Sequence, residues 1–216
     1  MVEIDSAVVN WSDTESLEGR PLVVLLHGYG QHEHALDDVA AALPEGIVTA
    51  ALRGPRPSRA PLQGGNGWWD VDEFYIPEPG QDAEAVAAVL GWLDRTIAER
   101  GAPSAIGVVG HSQGAALALT LLRNVPERFA AVVAIAGAWI PQVQPADTRL
   151  ADLRPAVFWG RTEDDPAIHK QSVHSLRAAL APIAPDAEHV YPGAEHAVIP
   201  EQISDLAAFL KERLGV

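Results

Sequence analysis

Gly110-His111-Ser112-Gln113-Gly114 sets a serine between two glycines, and the residues on either side give that serine a chemistry. The apolar run Ala105 to Val109 ahead of it reads as a strand, and Ala115 to Leu122 behind it read as a buried helix. A serine at a sharp strand-to-helix turn has its hydroxyl pushed into the open, with glycines beside it because a Cβ would clash there. The helix N-terminus beneath it offers free N–H groups and a positive dipole end, both suited to a developing oxyanion. This context favours a nucleophile over an ordinary glycine-rich turn.

Such a serine needs a histidine base, a carboxylate to orient that base, and donors for the oxyanion. Where the nucleophile sits on a strand-to-helix turn, the chain order is Ser, then Asp or Glu, then His. After Ser112, a strand at Ala156–Trp159 runs into Gly160-Arg161-Thr162-Glu163-Asp164-Asp165-Pro166, and a strand at His189–Tyr191 runs into Pro192-Gly193-Ala194-Glu195-His196. His196 follows a strand and precedes the last helix, as the base should. His189 falls inside a strand, and His169 and His174 fall on a helix face expected to meet solvent. Among the carboxylates, Glu163, Asp164 and Asp165 are neighbours that spacing does not separate.

Near the N-terminus, the run Leu22 to Leu26 leads into His27-Gly28-Tyr29-Gly30, a glycine-flanked turn at a strand end. A second oxyanion donor belongs there, so the backbone N–H groups of Tyr29 and Gln113 are the expected pair. His27 reads as a residue that holds the turn. The segment 53–80 carries five prolines and five glycines, which exclude regular structure through most of it. A loop that long is usually functional. Its Trp68, Trp69, Phe74 and Tyr75 could wall a substrate pocket or plug the core, and composition does not choose between the two.

The elements that must position these groups alternate along the chain, which indicates a parallel or mixed sheet wrapped by helices. Strands are predicted at Ala7–Val9, Leu22–Leu26, Ile47–Ala51, Ile106–Val109, Ala131–Ile135, Ala156–Trp159 and His189–Tyr191. Helices are predicted at Glu33–Leu43, Asp82–Arg100, Gln113–Asn124, Ala167–Leu180 and Glu201–Leu214. In the last, Ile203, Leu206, Ala207, Leu210 and Leu214 trace one helical face. At 216 residues the chain is expected to form a single domain, 1–216.

A formal charge of −14 argues against nucleic acid or an anionic membrane as partner. The chain has no cysteine, which removes disulfides, thiolate metal sites and cysteine nucleophiles. No basic-then-apolar leader and no long apolar run is visible, so a cytoplasmic protein without membrane insertion is expected. His32-Glu33-His34 lacks an identifiable third ligand, and the dinucleotide and P-loop fingerprints are incomplete, so neither metal nor cofactor is expected. The expected partner is a small-molecule ester, and a homodimer is compatible with the chain.

Leu26-His27-Gly28-Tyr29-Gly30, Gly110 to Ala115, Asp165-Pro166, His196 and Trp68-Trp69-Asp70 together resemble the carboxylesterase and acyl-protein thioesterase family of α/β-hydrolases, also described as phospholipase/carboxylesterases. The resemblance spans nearly the whole chain. It implies an α/β-hydrolase fold, with Ser112, Asp165 and His196 as triad and Tyr29 and Gln113 as oxyanion donors; it selects Asp165 over Asp164. Two departures stand out: Tyr29 replaces a leucine often found there, and Glu195 stands beside the base where a small residue is usual. The twenty or so residues between the predicted strands ending at Ile135 and starting at Ala156 are too few for a helical cap domain. An open site of this kind suits carboxylic esters of short to medium acyl chains, cleaved through an acyl-enzyme. The same triad would serve an acyl-protein thioesterase or a lysophospholipase. From a different class, a non-catalytic ligand-binding protein on this fold would normally have lost one of the three residues.

Overall fold

A computed structural model of the chain describes residues 2–71 and 76–216. The chain begins with β1 (Asn10–Trp11), β2 (Leu22–Leu26), α1 (Asp37–Ala42) and β3 (Val48–Leu52), followed by a short pair, β4 (Arg56–Pro57) and β5 (Asn66–Gly67). Then come α2 (Gln81–Arg100), β6 (Ile106–His111), α3 (Gln113–Asn124), β7 (Ala131–Ile135) and α4 (Leu150–Leu153). It ends with β8 (Val157–Thr162), α5 (Lys170–Leu180), β9 (Glu188–Tyr191) and α6 (Pro200–Leu214).

Seven strands form one sheet in the order β1-β3-β2-β6-β7-β8-β9, parallel throughout except for β1, which runs antiparallel to β3. The sheet is covered on both faces, which is why its strands read as continuous apolar runs rather than alternating ones. Period two still decides which side each residue serves. Leu22, Val24 and Leu26 of β2 pack with α2, α3 and α5, whereas Val23 and Leu25 pack with α1 and α6. The central helix α3 is buried along nearly its whole length, from Gln113 to Arg123. Such a helix must be apolar all round, as Ala115 to Leu122 are apart from Thr120, whose hydroxyl bonds the Ala116 carbonyl.

Register brings the chemistry together. Leu26 at the end of β2 lies beside Gly110 of β6, and Gly110 lies beside Ala134 of β7. The turns after β2, β6, β8 and β9 therefore open at one edge of the sheet, where parallel strands all present their carboxyl ends. Between β7 and β8, residues 136–156 contain a single helical turn, α4, and no cap. That stretch is held down by Arg123, a buried guanidinium paired with Asp147 and bonded to the carbonyls of Ile140 and Gln142. Among the described residues, no helix is long and apolar enough to cross a membrane.

The structure departs from the sequence prediction at element starts. The segment predicted as a strand at Ala7–Val9 is a 3-10 turn at Ser6–Val8, because Asp5 accepts the Ala7 amide and curls the chain; the edge strand starts at Asn10 instead. The helix predicted from Glu33 begins only at Asp37, since Glu33 is drawn into a two-pronged pair with Arg53. The helix predicted from Ala167 begins at Lys170, because Asp165 takes the Ala167 amide and Pro166 lies between them. In each case a side-chain bond outcompetes helical or extended backbone.

Candidate active site

Ser112 sits between β6 and α3 with φ +55° and ψ −115°, a conformation that L-residues rarely adopt. Its amide donates to the Ile135 carbonyl of β7, which locks the turn against the sheet. Close approach explains the glycines on either side. A Cβ on Gly110 would stand 2.1 Å from the Gly114 carbonyl oxygen, and one on Gly114 would stand 2.0 Å from the Leu26 carbonyl oxygen. The helix start is thereby pressed onto the end of β2, and the Ser112 hydroxyl is left facing outward.

His196, on the loop between β9 and α6, places Nε2 2.9 Å from Ser112 Oγ and Nδ1 2.8 Å from Asp165 Oδ2. An ionised carboxylate only accepts, so Nδ1 carries the proton and Nε2 is free to take the serine proton. The second oxygen of Asp165 accepts the Ala167 amide at 2.9 Å. Its side chain is 5% exposed, against 26% for His196. Asp164 is differently placed: its amide donates to the Gly193 carbonyl, and the residue is exposed. Glu195 is exposed too; its side chain folds over Gly193 and its carbonyl accepts the Thr162 hydroxyl, so it makes no bond to the His196 ring.

Among the described residues, the amides of Tyr29 and Gln113 donate to no protein acceptor. The turn that carries Tyr29 is braced by His27, whose ring bonds the Gly28 carbonyl through Nδ1 and accepts the Gly54 amide at Nε2, while its own carbonyl accepts the Trp68 indole N–H. Burial holds His27 neutral, its pKa pushed down to about 4. His111 is likewise pushed down to about 4, first by burial and then by His196, whose ring centroid lies 5.1 Å away. Both groups are neutral in the fold but free to protonate near pH 6.5 once unfolded, so the stability they contribute is full above pH 6.5. It is lost as pH falls towards 4, by up to about 3 kcal/mol for each group. Thermal unfolding followed from pH 7 to 4.5 should show a falling Tm, and His111→Phe should flatten that fall. An unchanged pH slope in the variant would remove His111 from this account.

Ser112, His196, Tyr29 and Gln113 face a cavity of about 320 Å³, walled mainly by Leu62, Trp69, Val71, Ala116, Ala138 and Ile168. Of the four aromatics expected in a pocket, Trp69 lines it. Trp68 does not: it is wholly buried in the core, with its indole tied to His27. Phe74 and Tyr75 lie outside the described residues. Sequence reading missed several other wall residues. Ala116 and Ala138 matter for what they lack, since small side chains leave room, and an alanine carries no signature of that. His169, expected on a solvated helix face, is exposed as expected but precedes α5, and it borders the cavity together with Ser172. His189 stacks on Phe158 at 4.2 Å, away from the site. His34 bonds Asn10 and Asp37.

A mostly parallel sheet with a serine turn after its central strand is the α/β-hydrolase arrangement. Residues 8–214 match the family described as phospholipase/carboxylesterase, and the chain belongs to that family; it is an ester hydrolase. Among curated relatives, it is 26% identical to acyl-protein thioesterase 1 of Saccharomyces cerevisiae, over 68% of this chain and 69% of that one. It is 23% identical to the carboxylesterase SOBER1 of Arabidopsis thaliana, over 90% and 91%. The carboxylesterase of Bacillus cereus has the same fold, with a TM-score of 0.76 at 17% identity over 96% of both chains.

Proposed function

We propose that the protein is a serine carboxylesterase that cleaves carboxylic esters of short to medium acyl chains through an acyl-enzyme. One observation carries this reading: the unbroken Ser112–His196–Asp165 hydrogen-bond chain at the mouth of a mainly apolar cavity. His196 Nε2 takes the Ser112 proton as Oγ attacks the acyl carbonyl, and Asp165 steadies the imidazolium that forms. The carbonyl oxygen gains its charge between the free amides of Tyr29 and Gln113, each such donor being worth about 10²–10³ in kcat. His196 then protonates the leaving alcohol. Water repeats the sequence on the acyl-enzyme, giving the carboxylic acid and restoring the Ser112 hydroxyl.

Apolar walls favour an unbranched acyl group over a charged one, and the missing cap leaves the entrance free for varied alcohol portions. The relatives named acyl-protein thioesterase support a second reading, a thioester substrate, because the same nucleophile attacks either acyl group. Rates over p-nitrophenyl esters of increasing acyl length, set beside an acyl-thioester and a lysophospholipid, test the proposal. A larger kcat/KM on the thioester or the lysophospholipid than on every simple ester would overturn the carboxylesterase reading.

The two tryptophans should separate. Trp69→Ala reshapes a cavity wall and should shift acyl-length preference by about tenfold, one methylene in an apolar pocket being worth about 1–3 kcal/mol. It should also lower stability, because Trp69 is 1% exposed. Trp68→Ala should cost about 3–5 kcal/mol of stability with no change in the order of preferred chain lengths. Chain-length profiles beside melting curves read both; a Trp69→Ala profile identical to wild type would remove that ring from the pocket.

A further inference from the structure

Each candidate oxyanion donor is fastened by its own side chain to the loop that walls the acyl cavity. The Tyr29 hydroxyl accepts the Arg59 amide at 2.7 Å. The buried Gln113 side chain accepts the Trp68 amide at 2.8 Å and donates to the Trp69 carbonyl at 2.9 Å. Backbone bonds add to this: Gly30 donates to Asn66, and Asn66 donates to Gln31. The same loop is knotted internally by Ser58, whose hydroxyl donates to the Leu62 carbonyl and accepts the Gly65 amide. Leu62, Trp69 and Val71, all between these anchors or beside them, face the cavity.

We propose that Tyr29 and Gln113 are positioning residues through their side chains: the cavity-wall loop sets the aim of the two oxyanion amides, so that an acyl chain filling the cavity is read in kcat. The inference rests on the esterase reading above. A side chain anchored at its far end limits how far the backbone of its own residue, and with it the peptide N–H, can shift. Movement of residues 58–69 therefore moves both donors, and a misplacement of about 1 Å can cost about 100-fold in rate. Contacts between the wall and a long acyl chain steady the loop while the oxyanion forms. Binding energy used in that way appears in kcat, whereas contacts equal in ground and transition states lower only KM. The hydroxyl of Tyr29 supplies the bond to Arg59.

The test compares kcat and KM for p-nitrophenyl acetate, butyrate and octanoate in the wild type and in Tyr29→Phe, which removes only the hydroxyl. In the wild type kcat should rise with acyl length. In Tyr29→Phe, kcat should fall for every ester, with the loss about tenfold larger for octanoate than for acetate, the upper size of one hydrogen bond, and KM moving less than about twofold. A wild-type kcat that is flat across acyl length, a loss equal for all three esters, or a loss confined to KM would each overturn the coupling. If Tyr29→Phe does not fold, Leu62→Ala reads the same link from the cavity side. A kcat loss larger for octanoate than for acetate supports it, and a change in KM alone overturns it. The esterase reading fails separately, if the wild type hydrolyses none of these esters and a fluorophosphonate probe leaves Ser112 unlabelled.

Discussion

Ser112→Ala should lower kcat by about five to six orders of magnitude while KM changes little, the loss found when the nucleophile is taken from a unit that acts as one. The reason is that, among the described residues, Ser112 Oγ is the hydroxyl bonded to His196 Nε2. The methyl group of alanine fits the same turn, so the folded protein should persist. Stability supplies a second readout. Ser112 holds φ +55°, and strain of this kind costs about 1–3 kcal/mol, which a residue without a Cβ avoids. Ser112→Gly should therefore be inactive and melt at a higher temperature than wild type. Retention of more than a few per cent of activity in either variant, with contamination excluded by probe labelling, would refute Ser112 as the nucleophile.

Asp165→Asn should cost about 10⁴-fold in kcat, and Asp164→Asn less than about twofold. An asparagine at 165 would present an N–H to His196 Nδ1, which drives the ring proton to Nε2. The base would then face Ser112 with a donor where it needs an acceptor. Asp164 has no bond to the ring, and its contribution is a backbone amide given to Gly193 that any residue would supply. Parallel kcat measurements on the two variants decide the matter, and the opposite ranking would transfer the role to Asp164.

The parts of this protein that were legible in the sequence are those where backbone sterics act within a few residues. A serine set between glycines where an apolar strand meets an apolar helix is expected at a tight turn with its hydroxyl outward, and Ser112 sits on such a turn. The same locality applies to β2, β7 and α3, whose bounds match the prediction, because burial on both faces or all round leaves an uninterrupted apolar run. His196 was expected as the base because it follows the last strand and precedes the last helix, and the structure sets its ring between Ser112 and Asp165. His169 was expected on a helix, which starts one residue later.

What the chain alone left open required contacts between distant segments. Glu163, Asp164 and Asp165 are chemically alike, and a turn of the backbone by one residue exchanges their directions. The resemblance to the family selected Asp165, and its placement against His196 depends on where β9 leads the chain 31 residues later. The roles of Trp68 and Trp69 divide for a similar reason. Both rings are buried in one core at a bend of the chain, and only the packing of that loop decides that Trp69, and not Trp68, also borders the cavity. The fastening of Tyr29 to Arg59 and of Gln113 to Trp68 was invisible for the plainest reason. A hydroxyl and a carboxamide bond whatever the fold brings near them, and only the packing of the loop onto the turn after β2 and the start of α3 decides what that is.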